Sequence, residues 1–152
     1  MLARRIINSA LVTLALATAA CGGGEDATGP SPSPVTNGSY ALAEVRTLGK
    51  LHGGGKGLPV TFADGGGTAL TFNGGTLVLS ADGKFDLQVQ AVFKGSATTL
   101  TDHGTYSASG SSISFSSAKS TPRLSTGSMS GGKLTAKSQF AGVQFEIDMQ
   151  KK

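Results

Sequence analysis

The chain has 152 residues, a formal net charge of +4, a single cysteine and no tryptophan. Two of its basic residues, Arg4 and Arg5, stand near the N-terminus, and the other lysines and arginines are scattered along the chain. Small, scattered charge argues against a nucleic-acid partner, because such binding needs a clustered basic surface. A lone cysteine also excludes an internal disulfide.

The first 20 residues have the three parts of a secretory signal peptide. The two arginines are followed by an apolar stretch from Ile6 to Ala17, and small residues at Ala19 and Ala20 offer a cleavage site. The apolar stretch is about 12 residues long, whereas a helix that spans a bilayer needs roughly 20. We therefore predict that residues 1–20 are a signal peptide that is removed on export.

Cys21 directly follows this signal. The segment Ala19-Ala20-Cys21 resembles the lipobox of bacterial lipoproteins, in which small residues precede the cysteine that receives the lipid. The resemblance implies that Cys21 carries acyl chains such as palmitate. These chains would anchor the protein to a membrane of the bacterial cell envelope, facing the periplasm or the cell surface. Thr18 stands where the lipobox has an aliphatic residue, so simple secretion remains the alternative.

The segment after the cysteine is rich in glycine, serine and proline. Its sequence from residue 22 to residue 38 is GGGEDATGPSPSPVTNG, which has too few apolar residues to bury a core. We predict that residues 21–38 form a disordered tether, flexible at the glycines and more extended at the prolines. Residues 39–152 then form one domain, for which about 110 residues are sufficient.

The first part of the domain contains short apolar segments that indicate strands. They are SYALAEV (39–45), LPVTF (58–62), TALTF (68–72) and GTLVLS (75–80). Asp82-Gly83 then predicts a tight turn into the segment from Lys84 to Lys94. In that segment Phe85, Leu87, Val89, Ala91 and Phe93 alternate with mostly polar residues, which is typical of a strand with one buried face. We expect this strand to be the stability centre of the domain.

The second half of the domain repeats the hairpin pattern. Turns are predicted at Ser109-Gly110, Gly131-Gly132 and Ala141-Gly142, and apolar residues alternate in the segments between them. The sequence predicts that four of the strands open with glycine, any residue and a larger apolar residue, at Gly38, Gly75, Gly104 and Gly127. The last strand places Val143, Phe145, Ile147 and Met149 on one face.

The fold that these elements predict is an all-β antiparallel meander of eight to ten strands. Such a meander either closes as an up-and-down barrel, which removes exposed edges, or splits into a β-sandwich, and we favour the barrel. The order of signal, cysteine, tether and hairpins resembles the bacterial lipocalin-like lipoproteins, with Gly38-Ser39-Tyr40 in the place of their G-x-aromatic first strand. The resemblance implies a ligand-carrying barrel without catalytic residues.

A ligand site is predicted inside this barrel. The inward positions carry no charge and suit an apolar or amphipathic small molecule, and charged residues are expected on outward positions or loops. The glycine-rich segment Leu51–Pro59 is expected to act as a lid. The predicted ligand-binding residues are Tyr40, Leu77, Leu79, Leu87, Val89, Tyr106 and Phe145.

No motif for catalysis or cofactor binding is complete. HGGGKG (52–57) lacks both ends of a phosphate loop. Asp102-His103 is interpreted as a surface pair, because neighbouring strand residues face opposite ways and His52 is the only other histidine. Asp86, Glu146 and Asp148 are interpreted as a solvated strand face. We expect no enzyme activity, no cofactor and no metal.

Two functions therefore remain open from the sequence. In the first, the anchored barrel binds an apolar or amphipathic small molecule in its interior. In the second, it is a non-catalytic interaction module of the envelope, whose Ser/Thr/Gly-rich outer faces meet a protein or a polysaccharide. The state of the interior distinguishes the two, because phenylalanines at the inward positions could fill a small barrel completely.

Overall fold

The computed structural model describes residues 37–49, 51–53, 57–63 and 68–152. The predicted signal peptide, Cys21, nearly all of the tether and the centre of the predicted lid lie outside these residues. Ten strands and no helix occur in the described ranges. The strands are β1 (Gly38–Thr47), β2 (His52–Gly53), β3 (Val60–Ala63), β4 (Ala69–Leu79), β5 (Lys84–Phe93), β6 (Ser96–Ser109), β7 (Ser112–Ser117), β8 (Arg123–Ser130), β9 (Lys133–Phe140) and β10 (Val143–Lys151).

The strands close into an antiparallel barrel. From β4 to β10 each strand pairs with the next, β10 pairs with β1, and β1 pairs with the end of β4 through Gly38–Ala41 and Thr76–Leu79. Eight strands thus form the ring, and β3, extended by the two-residue β2, pairs with the first part of β4 as an extra strand. The predicted up-and-down barrel is confirmed, because β1 supplies partners for strands that would be the edges of an open sheet.

The two ends of the barrel carry different connections. The N-terminal end holds Asn37 and the turns at 80–83, 110–111 and 131–132. The distal end holds the turn at 94–95, the connection at 118–122 and the turn at 141–142. Because an up-and-down barrel alternates its turns between ends, β1 enters the barrel at the N-terminal end, where Gly38 pairs with Leu79.

β4 combines two segments that the sequence presents as separate strands. TALTF and GTLVLS are continuous, with a register shift between Phe72 and Gly74. An extra residue at such a shift bends a strand. The first part of β4 pairs with β3 and the last part pairs with β1. The glycines at 74 and 75 therefore mark a bend within a strand and not the beginning of one.

The repeated glycines have a steric role inside the barrel. Gly38 opens a strand as predicted, whereas Gly75, Gly104 and Gly127 lie within β4, β6 and β8. A Cβ atom at Gly104 would lie 2.0 Å from the carbonyl oxygen of Ser116, and one at Gly127 would lie 2.4 Å from that of Thr135. The missing side chains allow neighbouring backbones to approach closely where the sheet curves.

We expect Gly104→Ala to destabilise the barrel by about 1–3 kcal/mol or more, because its Cβ would overlap backbone that must move to admit it. The matched control is Gly74→Ala. The nearest atom to its Cβ would be the side-chain Oε1 of Gln90 at 3.4 Å, and this side chain can move aside. Urea unfolding of both variants measures the difference. Equal midpoints for the two would show that the close approach of Ser116 is unimportant.

The interior is filled with apolar side chains. In β5 the side chains of Phe85, Leu87, Val89 and Ala91 are buried and Phe93 is partly buried, as the alternation predicts. A cluster of three rings packs edge to face at centroid distances of 5.2–6.0 Å, and its members are Phe62, Phe72 and Phe145. A second edge-to-face pair joins Phe85 and Phe115. The role of β5 as the stability centre stays a prediction.

Candidate functional site

The predicted ligand-binding residues lie together in the barrel core. Tyr40, Leu77, Leu79, Leu87, Val89 and Phe145 are all buried, and Tyr106 is partly buried. Three of them, Leu87, Val89 and Phe145, line a cavity of about 20 Å³. This volume holds about one water molecule, and small-molecule sites usually measure about 300 Å³ or more. The structure therefore places these residues in a packed core, and their ligand-binding role stays a prediction.

The two tyrosines have partners away from this cavity. The Tyr40 hydroxyl donates to the sulfur of Met129 at 3.6 Å. The Tyr106 hydroxyl lies 2.9 Å from the carbonyl oxygen of Ser80 and also contacts the side chain of Asn37. Burial raises the pKa of Tyr106. Both rings thus pack near the N-terminal end with their hydroxyl groups already engaged.

The cavity is covered at the distal end. Pro122, from the connection between β7 and β8, lines it together with Phe140 from the end of β9. Leu51 and Leu58, from the predicted lid, pack against the core as partly buried residues. A second cover, which the sequence did not indicate, is therefore the connection at 118–122.

Asp102 contradicts the expectation of a surface pair and of an uncharged interior. Its side chain is fully buried inside the barrel, while His103 is exposed. The Leu124 N–H donates to Asp102 Oδ2 at 2.7 Å, and the Ser117 hydroxyl donates to Oδ1. Asp102 is buried because β7 and β8 form a ladder only over Ser112–Ser114. The Leu124 N–H lies beyond the end of that ladder, and the carboxylate of Asp102 serves as its acceptor. The sequence contained an indication of this burial, because Asp102 and Tyr106 are four residues apart in β6 and therefore face the same side of the strand.

Asp148 also differs from its expected place on a solvated strand face. It points outward from β10 but is only 1% exposed. It accepts hydrogen bonds from Arg46 at 2.8 Å and Thr135 at 2.7 Å, and it forms an ion pair with Lys133 at 2.6 Å. Arg46 also pairs with Glu146 at 2.7 Å and with Glu44 at 3.1 Å. This cluster on β1, β9 and β10 is a structural charge network and leaves no reactive group free.

The electrostatics of Asp148 lead to a pH-dependence prediction. Burial raises the pKa of Asp148, but the hydrogen bonds from Arg46, Lys133 and Thr135 outweigh it and lower the pKa to about 2. Because the folded-state pKa lies below the unfolded value of 3.8, the stabilisation is complete above pH 4 and disappears as the pH falls toward 2. This ionised carboxylate contributes about 2 kcal/mol to the free energy of unfolding.

We expect Asp148→Asn to be less stable than the wild type at pH 6, with the difference shrinking as the pH falls to 2. Unfolding free energies measured by urea titration at several pH values provide the test. Asp86→Asn, on the exposed face of β5, is the control and should follow the wild type throughout. A constant difference between Asp148→Asn and the wild type from pH 6 to pH 2 would contradict the assignment.

Open grooves of the described chain include one of about 410 Å³ beside the turn at 141–142, lined by Leu48, Gly49, Leu51, Gln139, Gly142, Val143 and Gln144. Two more adjoin each other on the outer face of β8, β9 and β10 and are lined mostly by polar side chains. One groove of about 200 Å³ is lined by Arg123, Ser125, Lys137, Ser138, Gln139 and Gln144. A second of about 220 Å³ adjoins it at Lys137 and is lined by Thr126, Gly127, Ser128, Thr135, Ala136, Lys137 and Glu146. Their sequence pattern predicts Ser/Thr/Gly-rich outer faces, but it does not single out these residues as a groove.

Within the described ranges no group of three or more histidine, cysteine, aspartate or glutamate side chains is arranged to hold a metal ion. Those ranges also contain no helix that is long and apolar enough to cross a membrane. Comparison with family models, with curated proteins and with solved structures found no match to this chain.

Proposed function

We propose that this chain is an envelope-anchored protein whose barrel acts as a non-catalytic interaction module through its outer surface. The observation that carries the proposal is the packed interior, whose cavity of about 20 Å³ is too small for a carried ligand. Open grooves lie instead on the outside of β8, β9 and β10. The binding surface that is available without rearrangement is therefore the outer wall.

The anchor supports the same proposal. The chain joins the barrel at Asn37, and the 15 residues between Cys21 and that point reach at most about 50 Å when fully extended. A lipid on Cys21 would hold the N-terminal end nearest the membrane. The walls and the distal end of the barrel would then be accessible to a partner in the surrounding envelope.

We expect Cys21→Ser to release the protein from the membrane fraction into the soluble fraction. The reason is that the cysteine is the acceptor for the acyl chains and serine is not. Mass spectrometry of the mature N-terminus of the wild type, produced in a bacterial host with a lipoprotein-processing pathway, should show an acylated cysteine. A mature protein that begins at another residue, or with an unmodified cysteine, would contradict the anchor.

A second candidate function is the carriage of a small apolar molecule. The observation in its favour is that the small cavity is apolar and is covered by Pro122 and Phe140 at the distal end. Outward movement of the connection at 118–122 would enlarge this cavity toward Leu87, Val89 and Phe145. This candidate requires a conformational change, whereas binding at the outer wall does not.

A thermal-shift screen separates the two functions. Fatty acids and sterols should leave the melting temperature unchanged if the interior stays closed. A rise of several degrees with an apolar compound would favour the carrier, because a ligand that binds only the folded state stabilises it by RT ln(1 + L/Kd), where L is the concentration of free ligand. If such a rise occurred and no envelope polysaccharide or protein bound, the carriage of an apolar molecule would become the proposed function.

A further inference from the structure

The paired grooves on β8, β9 and β10 owe their shape to an irregularity in the sheet. Between Leu124 and Gly127 the register of β8 shifts against β9, so that Ser125 and Thr126 lie opposite the single residue Lys137. The ladder is interrupted there, and the Ser125 hydroxyl lies 3.4 Å from the carbonyl oxygen of Lys137. A bulge of this kind bends the strand and redirects its side chains. It makes a concave surface on an otherwise convex wall.

Two cations line this concave surface without carboxylate partners. Among the described residues neither Arg123 nor Lys137 forms an ion pair. Glu146 lies directly opposite Lys137 in the ladder, but its carboxylate is bound by Arg46 at 2.7 Å. Arg123 pairs with Gln139 across β8 and β9, so Arg123 and Lys137 are diagonal neighbours on the same face. The backbone positions of such neighbours are about 7–8 Å apart.

The remaining lining of the groove consists of hydroxyl and amide side chains. Gln144, Gln139 and Arg123 stand side by side in one row across β10, β9 and β8. Serines and threonines follow on both sides of Lys137. These groups can both donate hydrogen bonds to sugar hydroxyls and accept them, and the two cations attract carboxylates.

Other classes of partner fit this surface less well. Two cations are too few for a nucleic acid, which is bound through about 6–10 phosphate contacts. The lining of the first groove contains no aromatic side chain, and aromatic anchors dominate protein interfaces. A membrane surface is disfavoured because the grooves run along the side wall of the barrel and not across one of its ends.

We propose that the paired grooves bind an acidic polysaccharide, with Arg123 and Lys137 holding carboxylates of the sugar chain and Gln139, Gln144 and Ser125 holding its hydroxyl groups. This inference rests on the proposed function and names its partner. The site is an open groove, so a polysaccharide can lie across it at any point along its length and need not enter by one end. No conformational change of the barrel is needed.

The test uses the full chain with Cys21→Ser, which cannot carry the proposed acyl anchor, and alginate as the carboxylate-bearing probe. Dextran is the neutral probe. The site variant is Arg123→Ala with Lys137→Ala, and the charge-matched control is Lys94→Ala with Lys84→Ala, which removes two exposed cations away from the groove. Affinity electrophoresis measures each dissociation constant, and circular dichroism checks that all variants fold.

We expect the starting protein and the control to bind alginate, with weaker binding as salt rises, and the site variant to bind about tenfold or more weakly. Equal loss in the control and the site variant would mean general charge attraction and would overturn the site. Binding of a polysaccharide or of an envelope protein that is unaffected by the site variant would also overturn the site but leave the interaction module intact. An absence of any such binding, together with stabilisation by apolar compounds, would overturn both.

Discussion

Replacing Phe145 with alanine is expected to lower the free energy of unfolding by about 3–5 kcal/mol, which is the range for a buried phenylalanine. Phe145 is 1% exposed and packs edge to face against Phe62 at 5.4 Å and Phe72 at 5.2 Å. The change would also enlarge the small cavity that this ring lines. The loss is large for a single domain, whose total stability is about 5–15 kcal/mol.

Two further variants make the Phe145 prediction specific. Gln144→Ala changes the neighbouring, outward-facing residue of β10 and should alter the stability by less than about 0.5 kcal/mol. Phe93→Ala removes a ring that is only partly buried and whose ring partner is Phe140. Its effect should lie between the other two. If Phe93→Ala proved as damaging as Phe145→Ala, stability would not be concentrated at the three-ring cluster.

Replacing Asp102 with alanine is expected to lower the free energy of unfolding by about 3 kcal/mol, because it leaves the buried Leu124 N–H without its acceptor. It also removes the hydrogen bond from the Ser117 hydroxyl, whose other acceptor is the Lys119 carbonyl oxygen at 3.2 Å. At its other end the Ser117–Leu124 connection is held to β6 by the Ala118 N–H, which donates to the His103 carbonyl at 2.8 Å, and by the Lys119 ammonium, which donates to the Thr101 hydroxyl at 2.7 Å. Asp102 is the acceptor that holds its Leu124 end. We therefore expect faster hydrogen exchange in this connection as well as a lower melting temperature.

Asp102→Asn and His103→Ala are the controls for this prediction. Asparagine keeps one carbonyl oxygen that can accept from the Leu124 N–H, so its cost should be clearly smaller than that of alanine. His103 is exposed on the opposite face, and its replacement should leave stability nearly unchanged. Equal stability of Asp102→Ala and the wild type would show that the buried carboxylate contributes nothing net.

If the outer-wall proposal holds, the core and the site are independent parts of the molecule. Phe145 and Asp102 maintain the barrel, whereas Arg123 and Lys137 lie on its surface and are exposed. Substitutions at the first pair should change stability, and substitutions at the second pair should change binding alone. This separation allows the function to be tested in proteins that remain fully folded.

The sequence by itself determined the type of fold and most of its elements. Alternation with a period of two is a local property, so the inward face of β5 and the strand β10 could be predicted from their residues alone. Turn chemistry is equally local, and Asp82-Gly83, Gly131-Gly132 and Ala141-Gly142 all lie where strands reverse. The number of one-sided strands, with no helix to cover them, then favoured closure into a barrel.

Only the tertiary structure decided what depends on residues far apart in the chain. Asp102 is buried because barrel closure brings the start of β8 toward β6, and Asp148 is buried because Arg46 and Lys133 arrive from β1 and β9. The function of Gly104 likewise depends on how closely Ser116 approaches it. The filled interior depends on side chains from most of the strands meeting at one place. Periodicity shows which way a side chain points, but it contains no information on what that side chain meets, because partners are set by register and curvature across the whole barrel.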